Sequence, residues 1–221
     1  MLLIAVGTIV LRLLFPMAAV GFAFWAEEKG WGLFNVVIVP QVAAVVIAAV
    51  ALDFVIWGQH VAVHKIPLLW RLHRLHHADG DYDVTTGLRF HPLEFILSML
   101  IKFCAVAALG APPEAVLLFE VVLNASAMFN HGNFRLPLGV DRVLRLLIVT
   151  PDFHRVHHSI HRDEHDANYG FCLSIWDRVF RTYVPQPRGG HEGMTIGIDG
   201  LTTEAEQRLD KMLLQPFTKS L

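Results

Sequence analysis

Two long apolar runs constrain the fold of this chain more than any other feature of its sequence. The first extends from Leu2 to Trp25, with interruptions at Arg12 and Pro16, and the second covers residues 36–57. Because a helix rises about 1.5 Å per residue, each run is long enough to cross a hydrocarbon core about 30 Å thick. A cleaved signal peptide is the alternative for the first run, but that run is too long for one. We therefore predict two membrane-spanning helices.

Two shorter apolar runs, residues 93–109 and 115–129, are joined by the turn sequence Gly110-Ala111-Pro112-Pro113. Each is shorter than the roughly 20 residues that a full span usually needs. They carry Lys102 and Glu120, which are costly in lipid unless they pair or face protein. A hairpin of short spans and a re-entrant hairpin both fit this pattern. We favour spans whose polar ends extend into water, and Lys102 and Glu120 can pair with each other.

The composition supports a membrane protein. Only 17% of the residues are charged and the mean hydropathy is +0.46, whereas soluble domains carry roughly a quarter charged residues. The net charge of −2 argues against a nucleic-acid partner. The two cysteines, Cys104 and Cys172, lack the spacing of a metal site or a disulfide framework. The sequence predicts an all-α integral membrane protein with about four transmembrane helices, two of them as a short hairpin, under a helical, histidine-rich cap.

The predicted hairpin places residues 58–92 and 130–221 on the same side of the membrane. Several positive charges next to the spans lie on this side, whereas the opposite loops carry little beyond Lys29. The positive-inside bias therefore predicts a multi-pass protein whose histidine-rich cap and C-terminus are cytoplasmic. The charges that decide this orientation are Lys65, Arg71, Arg74 and Arg89.

The C-terminal segment predicts one short amphipathic helix. The sequence Thr203-Glu204-Ala205-Glu206 has the form of a capping box, which would begin a helix at this point. Leu209, Met212 and Leu213 would form the apolar stripe of that helix. We expect it to pack on the domain or to lie on the membrane surface.

The histidines are the second unusual feature. The chain has 13 of them, and 12 fall between His60 and His165. Most belong to tight groups of the form H-x-x-x-H or H-x-x-H-H, in which residues three or four apart share a helical face. Imidazole is a good ligand for Fe, Zn, Cu and Ni, so each group can direct two or three ligands toward one point. The candidate ligands are His60, His64, His73, His76, His77, His131, His154, His157 and His158.

This number of ligands predicts two metal ions. A single zinc takes about four ligands, and a catalytic one about three plus water. The Glu-x-x-His pattern of carboxylate-bridged di-iron bundles is missing, so the site must consist almost entirely of histidine. We leave open whether His91, His161 and His165 are additional ligands. Carboxylates could orient the rings as hydrogen-bond acceptors, and the candidates are Asp53, Asp152, Asp166 and Asp177.

These motifs resemble those of the fatty acid hydroxylase / sterol desaturase superfamily of membrane di-iron enzymes. The matching stretches, residues 53–94 and 130–183, cover nearly half of the chain. Two positions depart from the family pattern, Val61 where the family often has Arg and Arg181 where it often has Gly. The motifs that carry the resemblance are His73-Arg74-Leu75-His76-His77, Leu88-Arg89-Phe90-His91-Pro92, Asn130-His131-Gly132-Asn133, His154-Arg155-Val156-His157-His158, Asn168-Tyr169-Gly170-Phe171 and Ile175-Trp176-Asp177-Arg178.

The resemblance implies four transmembrane helices under a cytoplasmic cap, in one membrane domain over residues 1–221 with its core at 53–183 and an amphipathic tail at 185–221. It implies two Fe ions held by the nine histidines, with the role of His91 open, and O₂ as a co-substrate. Zn can replace Fe in purified protein. The implied partners are a lipid from the bilayer, such as an acyl chain, a sterol or a carotenoid, and a separate electron donor. A ferredoxin or a cytochrome b5-type protein with its reductase would fill that role.

Hydroxylation and desaturation share this machinery, and we favour hydroxylation. A membrane zinc hydrolase would need a general-base carboxylate as in H-E-x-x-H, and that motif does not occur. A histidine-rich metal-binding or transport protein without oxygenase activity is the remaining alternative. Transporters place polar residues within their spans, whereas these histidines cluster just outside them.

Overall fold

The structure is a computed structural model that describes residues 1–218. In this part of the chain the regular structure is helical, and two isolated β-bridges are the only extended pairings. The first six helices are α1 (Leu2–Leu14), α2 (Ala18–Glu28), α3 (Gln41–Lys65), α4 (Pro67–His77), α5 (Pro92–Leu109) and α6 (Pro113–Asn130). The six that follow are shorter: α7 (Leu138–Leu144), α8 (Pro151–His157), α9 (Arg162–His165), α10 (Ile175–Val179), α11 (Gly190–Gly193) and α12 (Leu209–Leu214).

The first apolar run forms two helices rather than one. Helix α1 ends at Leu14 and α2 begins at Ala18, on either side of Pro16. Proline has no N–H to donate and disfavours helical geometry in the residue before it, here Phe15. The candidate span that contains α1 and α2 covers Leu2–Asn35, which is long enough to cross a membrane.

Helices α5 and α6 form the predicted hairpin. The turn between them begins at Gly110, whose φ of 61° is the left-handed conformation that commonly ends a helix. A Cβ on Gly32, beyond the end of α2, would collide with the backbone of Gly110. At the start of α6, Glu114 accepts a hydrogen bond of 3.5 Å from Gln41 at the start of α3. The hairpin thus reaches the level at which the other two spans end, as expected for spans rather than for a re-entrant loop.

Within residues 1–218, three segments are long and apolar enough to span a membrane: residues 2–35, α3 and α5. Helix α6 has the same length as α5 and packs against α2 and α3. Side chains such as Leu52, Met99 and Phe119 form the core between these helices. The predicted pairing within the hairpin is confirmed, because Lys102 Nζ lies 2.6 Å from Glu120 Oε1. The predicted all-helical membrane fold is therefore confirmed.

The cap is tied to the membrane helices by buried carboxylates. Asp53 of α3 accepts a hydrogen bond of 2.8 Å from the indole of Trp176, and Asp177 accepts one of 3.3 Å from Trp57. Asp177 also accepts from the backbone N–H groups of Tyr169 and Gly170, at 2.9 and 2.6 Å. These bonds fix the loop at residues 168–173 against α3, beside the histidines.

The prediction that a capping box begins the C-terminal helix is wrong. Helix α12 begins at Leu209 with Arg208 as its N-cap residue, and residues 203–207 form a turn. The Gln207 side chain donates hydrogen bonds of 3.0 and 2.7 Å to the carbonyls of Ala78 and Leu201. Tertiary contacts thus hold this segment against the end of α4, in place of the local capping geometry.

The departure at Arg181 has a structural meaning. Arg181 follows the end of α10 with a φ of 61°, a left-handed conformation in which a side chain costs roughly 1 kcal/mol. We expect Arg181→Gly to stabilise the protein by about 1 kcal/mol and to raise its unfolding midpoint by about 2–4 °C. Arg181→Ala is the matched control, because it removes the same exposed side chain and keeps the strain. An equal gain in both variants would contradict this explanation.

Candidate metal centre

The nine predicted histidines converge into two adjacent groups in the structure. In each group one ligand atom from every ring lies within 4.8 Å of the others, and all nine residues are buried. The five-histidine group is His60, His64, His73, His77 and His157. The four-histidine group is His76, His131, His154 and His158.

The two H-x-x-H-H helices divide their histidines between these groups. In α4 the i, i+4 pair His73 and His77 belongs to the five-histidine group, while His76 belongs to the other. In α8 and its C-cap residue the arrangement is reversed, since His154 and His158 join the four-histidine group and His157 does not. Each helix therefore gives two rings to one group and one to the other. Both helices contribute ligands to both groups.

The Nε2 atoms within a group have the separation of ligands on one metal. His60 Nε2 lies 3.2 Å from His73 Nε2 in the five-histidine group. In the four-histidine group, His131 Nε2 lies 3.3 Å from His76 Nε2 and 3.1 Å from His154 Nε2. Two nitrogens bound at right angles to one metal at about 2.1 Å are about 3.0 Å apart. Each group thus has the dimensions of one coordination sphere.

The opposite nitrogen of most rings is anchored to the protein. An Nδ1–H donated to a carbonyl or carboxylate fixes the ring and leaves the Nε2 lone pair for a metal. Four rings bond to backbone carbonyls in this way: His60 to Tyr169 at 2.8 Å, His76 to Thr86 at 3.0 Å, His131 to Ala127 at 2.7 Å and His157 to Ala167 at 2.7 Å.

Two rings of the five-histidine group have carboxylate partners. His73 Nδ1 lies 2.6 Å from Glu94 Oε1, and both side chains are buried. His64 Nδ1 lies 3.5 Å from Asp166, a longer contact that Asp166 shares with Lys65. A carboxylate at Nδ1 raises the basicity of the ring and strengthens its bond to a metal.

Burial favours the neutral, metal-binding form of six clustered histidines of the cap. Burial lowers the pKa of His131 to about 4. Burial, with a smaller contribution from neighbouring rings, also lowers the pKa of five histidines on α4, on α8 and at the C-cap of α8 well below its usual range. These are His76, His77, His154, His157 and His158.

Several buried ring nitrogens have no hydrogen-bond partner among residues 1–218. They include the Nε2 atoms of His64, His77, His157 and His158. A buried polar atom without a partner costs about 1–3 kcal/mol, and these four residues all belong to the two groups. A metal ion in each group would bind these lone pairs, so the residues present fit two metals.

The remaining candidate residues lie outside both groups. His91 is the N-cap residue of α5, where Nδ1 accepts from Leu93 N–H at 3.2 Å, and its Nε2 lies 3.2 Å from a backbone carbonyl. His161 is exposed, and His165 Nδ1 lies 3.2 Å from the Ser159 carbonyl. None of these three residues belongs to either histidine group.

Neither Asp152 nor Asp177 has one of the nine rings among its polar partners in the described chain. Asp152 pairs with Arg155 and Arg135, and it lies 3.9 Å from His191. Asp177 affects His60 indirectly, because it holds the loop whose Tyr169 carbonyl anchors the His60 ring. The four carbonyl anchors and the contact of Glu94 with His73 were not predicted. For Glu94, a carboxylate just after His91-Pro92 was the available signal.

A cavity of about 240 Å³ extends from the histidines to the level of the membrane helices. His60, His73 and His76 line one end, so both groups contribute to it. The walls are largely apolar, as expected for a site that receives a lipid chain. They come from α1, α3, α5 and α6, through residues such as Leu11, Ile56, Val63, Phe95, Met99 and Leu123.

Comparison with known proteins identifies the family to which this chain is similar. The Fatty acid hydroxylase family matches residues 45–182, a range that contains all nine clustered histidines. The chain is 29% identical over 214 residues to the ornithine lipid hydroxylase OlsE of Rhizobium tropici, covering 93% of this chain and 59% of the relative. It is 31% identical over 159 residues to human (Homo sapiens) alkylglycerol monooxygenase, covering 69% of this chain and 33% of the relative.

A third relative, cholesterol 25-hydroxylase of Rattus norvegicus, is 24% identical over 140 residues, covering 62% of this chain and 46% of the relative. The chain thus spans less than two thirds of the length of each of these three proteins. No solved structure matches it significantly. The family match covers more than half of the chain and includes both histidine groups, and the chain therefore belongs to the fatty acid hydroxylase family.

Proposed function

We propose that this chain is a membrane-bound di-iron oxygenase that uses O₂ and reductase-supplied electrons to hydroxylate a lipid. The single observation that supports this most is the pair of buried imidazole groups at the end of an apolar cavity. Its relatives carry the names of hydroxylases and monooxygenases, two of them with a lipid or a sterol in the name. A hydrolase would need a general-base carboxylate at the metal, which neither group contains among the described residues.

In this proposal the five-histidine and four-histidine groups each hold one iron. When bound, the two irons supply the reduction of O₂ and the oxidant for an unactivated C–H bond, chemistry that no side chain can provide. The protein orients several of the rings through their Nδ1 bonds, and burial favours their neutral form. His60, His73 and His76 present both groups to the cavity, whose apolar walls align the lipid and exclude water.

The remaining features of the proposal concern the surroundings of the site. The cap and the C-terminus are cytoplasmic, because Lys65, Arg71, Arg74 and Arg89 flank the spans on that side. A ferredoxin or a cytochrome b5-type protein with its reductase supplies the electrons there. Residues 1–221 act as one membrane domain, with a core at 53–183 and a tail at 185–221.

Lipid mass spectrometry tests the proposed function directly. Membranes of a host that expresses the chain together with a matching reductase are compared with membranes that contain His157→Ala. A lipid that gains one oxygen with the native chain, and not with the variant, would support hydroxylation. A lipid that loses two hydrogens would indicate a desaturase instead. An unchanged lipid profile across several hosts and reductases would favour a metal-binding protein without oxygenase activity.

Glu94 offers a finer test of ring orientation. Glu94→Leu removes the carboxylate that lies 2.6 Å from His73 Nδ1, and loss of such a partner typically costs 10–100-fold in metal affinity or activity. We expect a loss of about that size, measured by iron competition with a chelator, and a smaller loss for Glu94→Gln, which keeps an acceptor oxygen. Glu114→Gln, at the opposite end of the hairpin, is the control. Equal iron affinity in Glu94→Leu and the native chain would show that His73 needs no anchor.

A further inference from the structure

The Lys102–Glu120 pair lies in the wall of the same cavity that reaches the histidines. Both residues line it, together with Asn124, one turn further along α6. Asn124 donates a hydrogen bond of 2.7 Å to the Glu120 carbonyl. The cavity thus has the metal groups at one end, an ion pair at the other and apolar side chains between them.

This ion pair retains unused hydrogen-bonding capacity. Among residues 1–218, Lys102 Nζ hydrogen-bonds to Glu120 alone, at 2.6 Å, although an ammonium has three donors. The second carboxylate oxygen of Glu120 has no hydrogen bond within the same residues. Ionisable residues at membrane depth are expensive, and a buried ion pair is often no more stable than an apolar pair of similar volume. Packing alone therefore does not account for an ion pair that faces a cavity.

The packing of the helices around the cavity is compatible with a lipid that enters between them from the bilayer. Helix α1 packs against α5, whereas α6 packs against α2 and α3. Although α1 and α5 both line the cavity, neither is extensively packed against α6 in the described chain. At about 240 Å³, the cavity is smaller than the 300–1,000 Å³ typical of sites that enclose a whole small molecule. It suits part of a lipid chain, while the rest remains in the bilayer.

We propose that Lys102 and Glu120 bind an uncharged hydrogen-bonding group of the lipid substrate, a hydroxyl or an amide, and so fix which carbon reaches the histidines. This rests on the proposed function and narrows its substrate class. The pair offers a donor and an acceptor together, which a hydroxyl or an amide uses at once. Because the pair is neutral overall, a charged group would enter without compensation in a low-dielectric site.

The spacing along the helices sets the length of the intervening chain. Lys102 lies eight residues from Glu94, the partner of His73, which corresponds to about 12 Å along α5. Glu120 lies seven residues from Ala127, the partner of His131, or about 10 Å along α6. An extended chain advances about 1.2 Å per bond. The separation of these helix positions therefore corresponds to about eight to ten bonds of an extended chain between the ion pair and the residues that anchor the histidine rings.

Binding of simple probes tests this without turnover. The full chain, purified with its metals into phosphatidylcholine nanodiscs, is heated with 1-dodecanol or with n-dodecane at equal mole fraction. We expect the alcohol to raise the unfolding midpoint about 3–6 °C more than the alkane, at tenfold over its dissociation constant. The double variant Lys102→Met with Glu120→Met should lose this difference. Leu100→Met, on the lipid-facing side of α5, should keep it.

Equal midpoint shifts for the alcohol and the alkane in the native chain would overturn this inference, as would an alcohol preference that survives in the double variant. The result does not depend on O₂ or electrons. If no lipid is oxidised and the alcohol preference still requires the pair, the oxygenase proposal fails and the binding site stands. If lipid is oxidised but no alcohol preference exists, the oxygenase proposal stands and the proposed binding site fails.

Discussion

Replacing His76 with alanine is expected to abolish lipid oxidation and to reduce bound iron from two to about one per chain. His76 belongs to the four-histidine group, and its loss leaves three rings there. His157→Ala removes one of five rings from the other group, so it should retain more iron while also losing turnover. Both effects follow because each group has the dimensions of one coordination sphere and the chemistry needs both metals. Iron per purified chain and lipid mass spectrometry measure the two effects separately.

His161→Ala is the matched control for these variants. His161 is exposed and belongs to neither group, so this variant should keep two irons and full activity. Full turnover in His76→Ala or His157→Ala would contradict the assignment of two metals. A loss of protein from the membrane in these variants, with His161→Ala unaffected, would instead show that the rings are needed for folding.

The second large effect is expected at the ion pair within the membrane. Lys102→Met leaves the Glu120 carboxylate, whose side chain is 24% exposed, without its 2.6 Å partner. Breaking a buried pair by removing one member costs about 3–5 kcal/mol, whereas replacing both members by apolar residues is often neutral. We therefore expect Lys102→Met to lower the free energy of unfolding by about 3 kcal/mol, and the double variant with Glu120→Met to restore most of it.

Reversible unfolding in mixed micelles measures this difference. The single and double variants carry the same Lys102→Met change, so each is the control for the other. Equal destabilisation in both would show that Lys102 contributes by packing rather than by charge. A stable single variant would show that Glu120 is compensated by another group.

Much of the membrane region could be predicted because its determinants are local. The lengths of the apolar runs and the turn at Gly110 predict spans and a hairpin whatever surrounds them. Pro16 broke the first run into two helices, a local effect that a count of apolar residues overlooks. The capping-box prediction failed because Gln207 is held by the Ala78 carbonyl, 129 residues away in the sequence. A local motif cannot show that competition.

The sequence by itself determined which histidines belong to the two groups, because spacings of three and four residues place rings on shared helical faces. Only the tertiary structure decided how they divide. On α4, His73 and His77 belong to one group and His76 to the other, whereas α8 and its C-cap residue give one ring to the first group and two to the second. The partners that orient the rings, such as the Tyr169 carbonyl and Glu94, were likewise decided by packing. A backbone carbonyl carries no sequence signal, and its position near a ring depends on chain segments up to 109 residues apart.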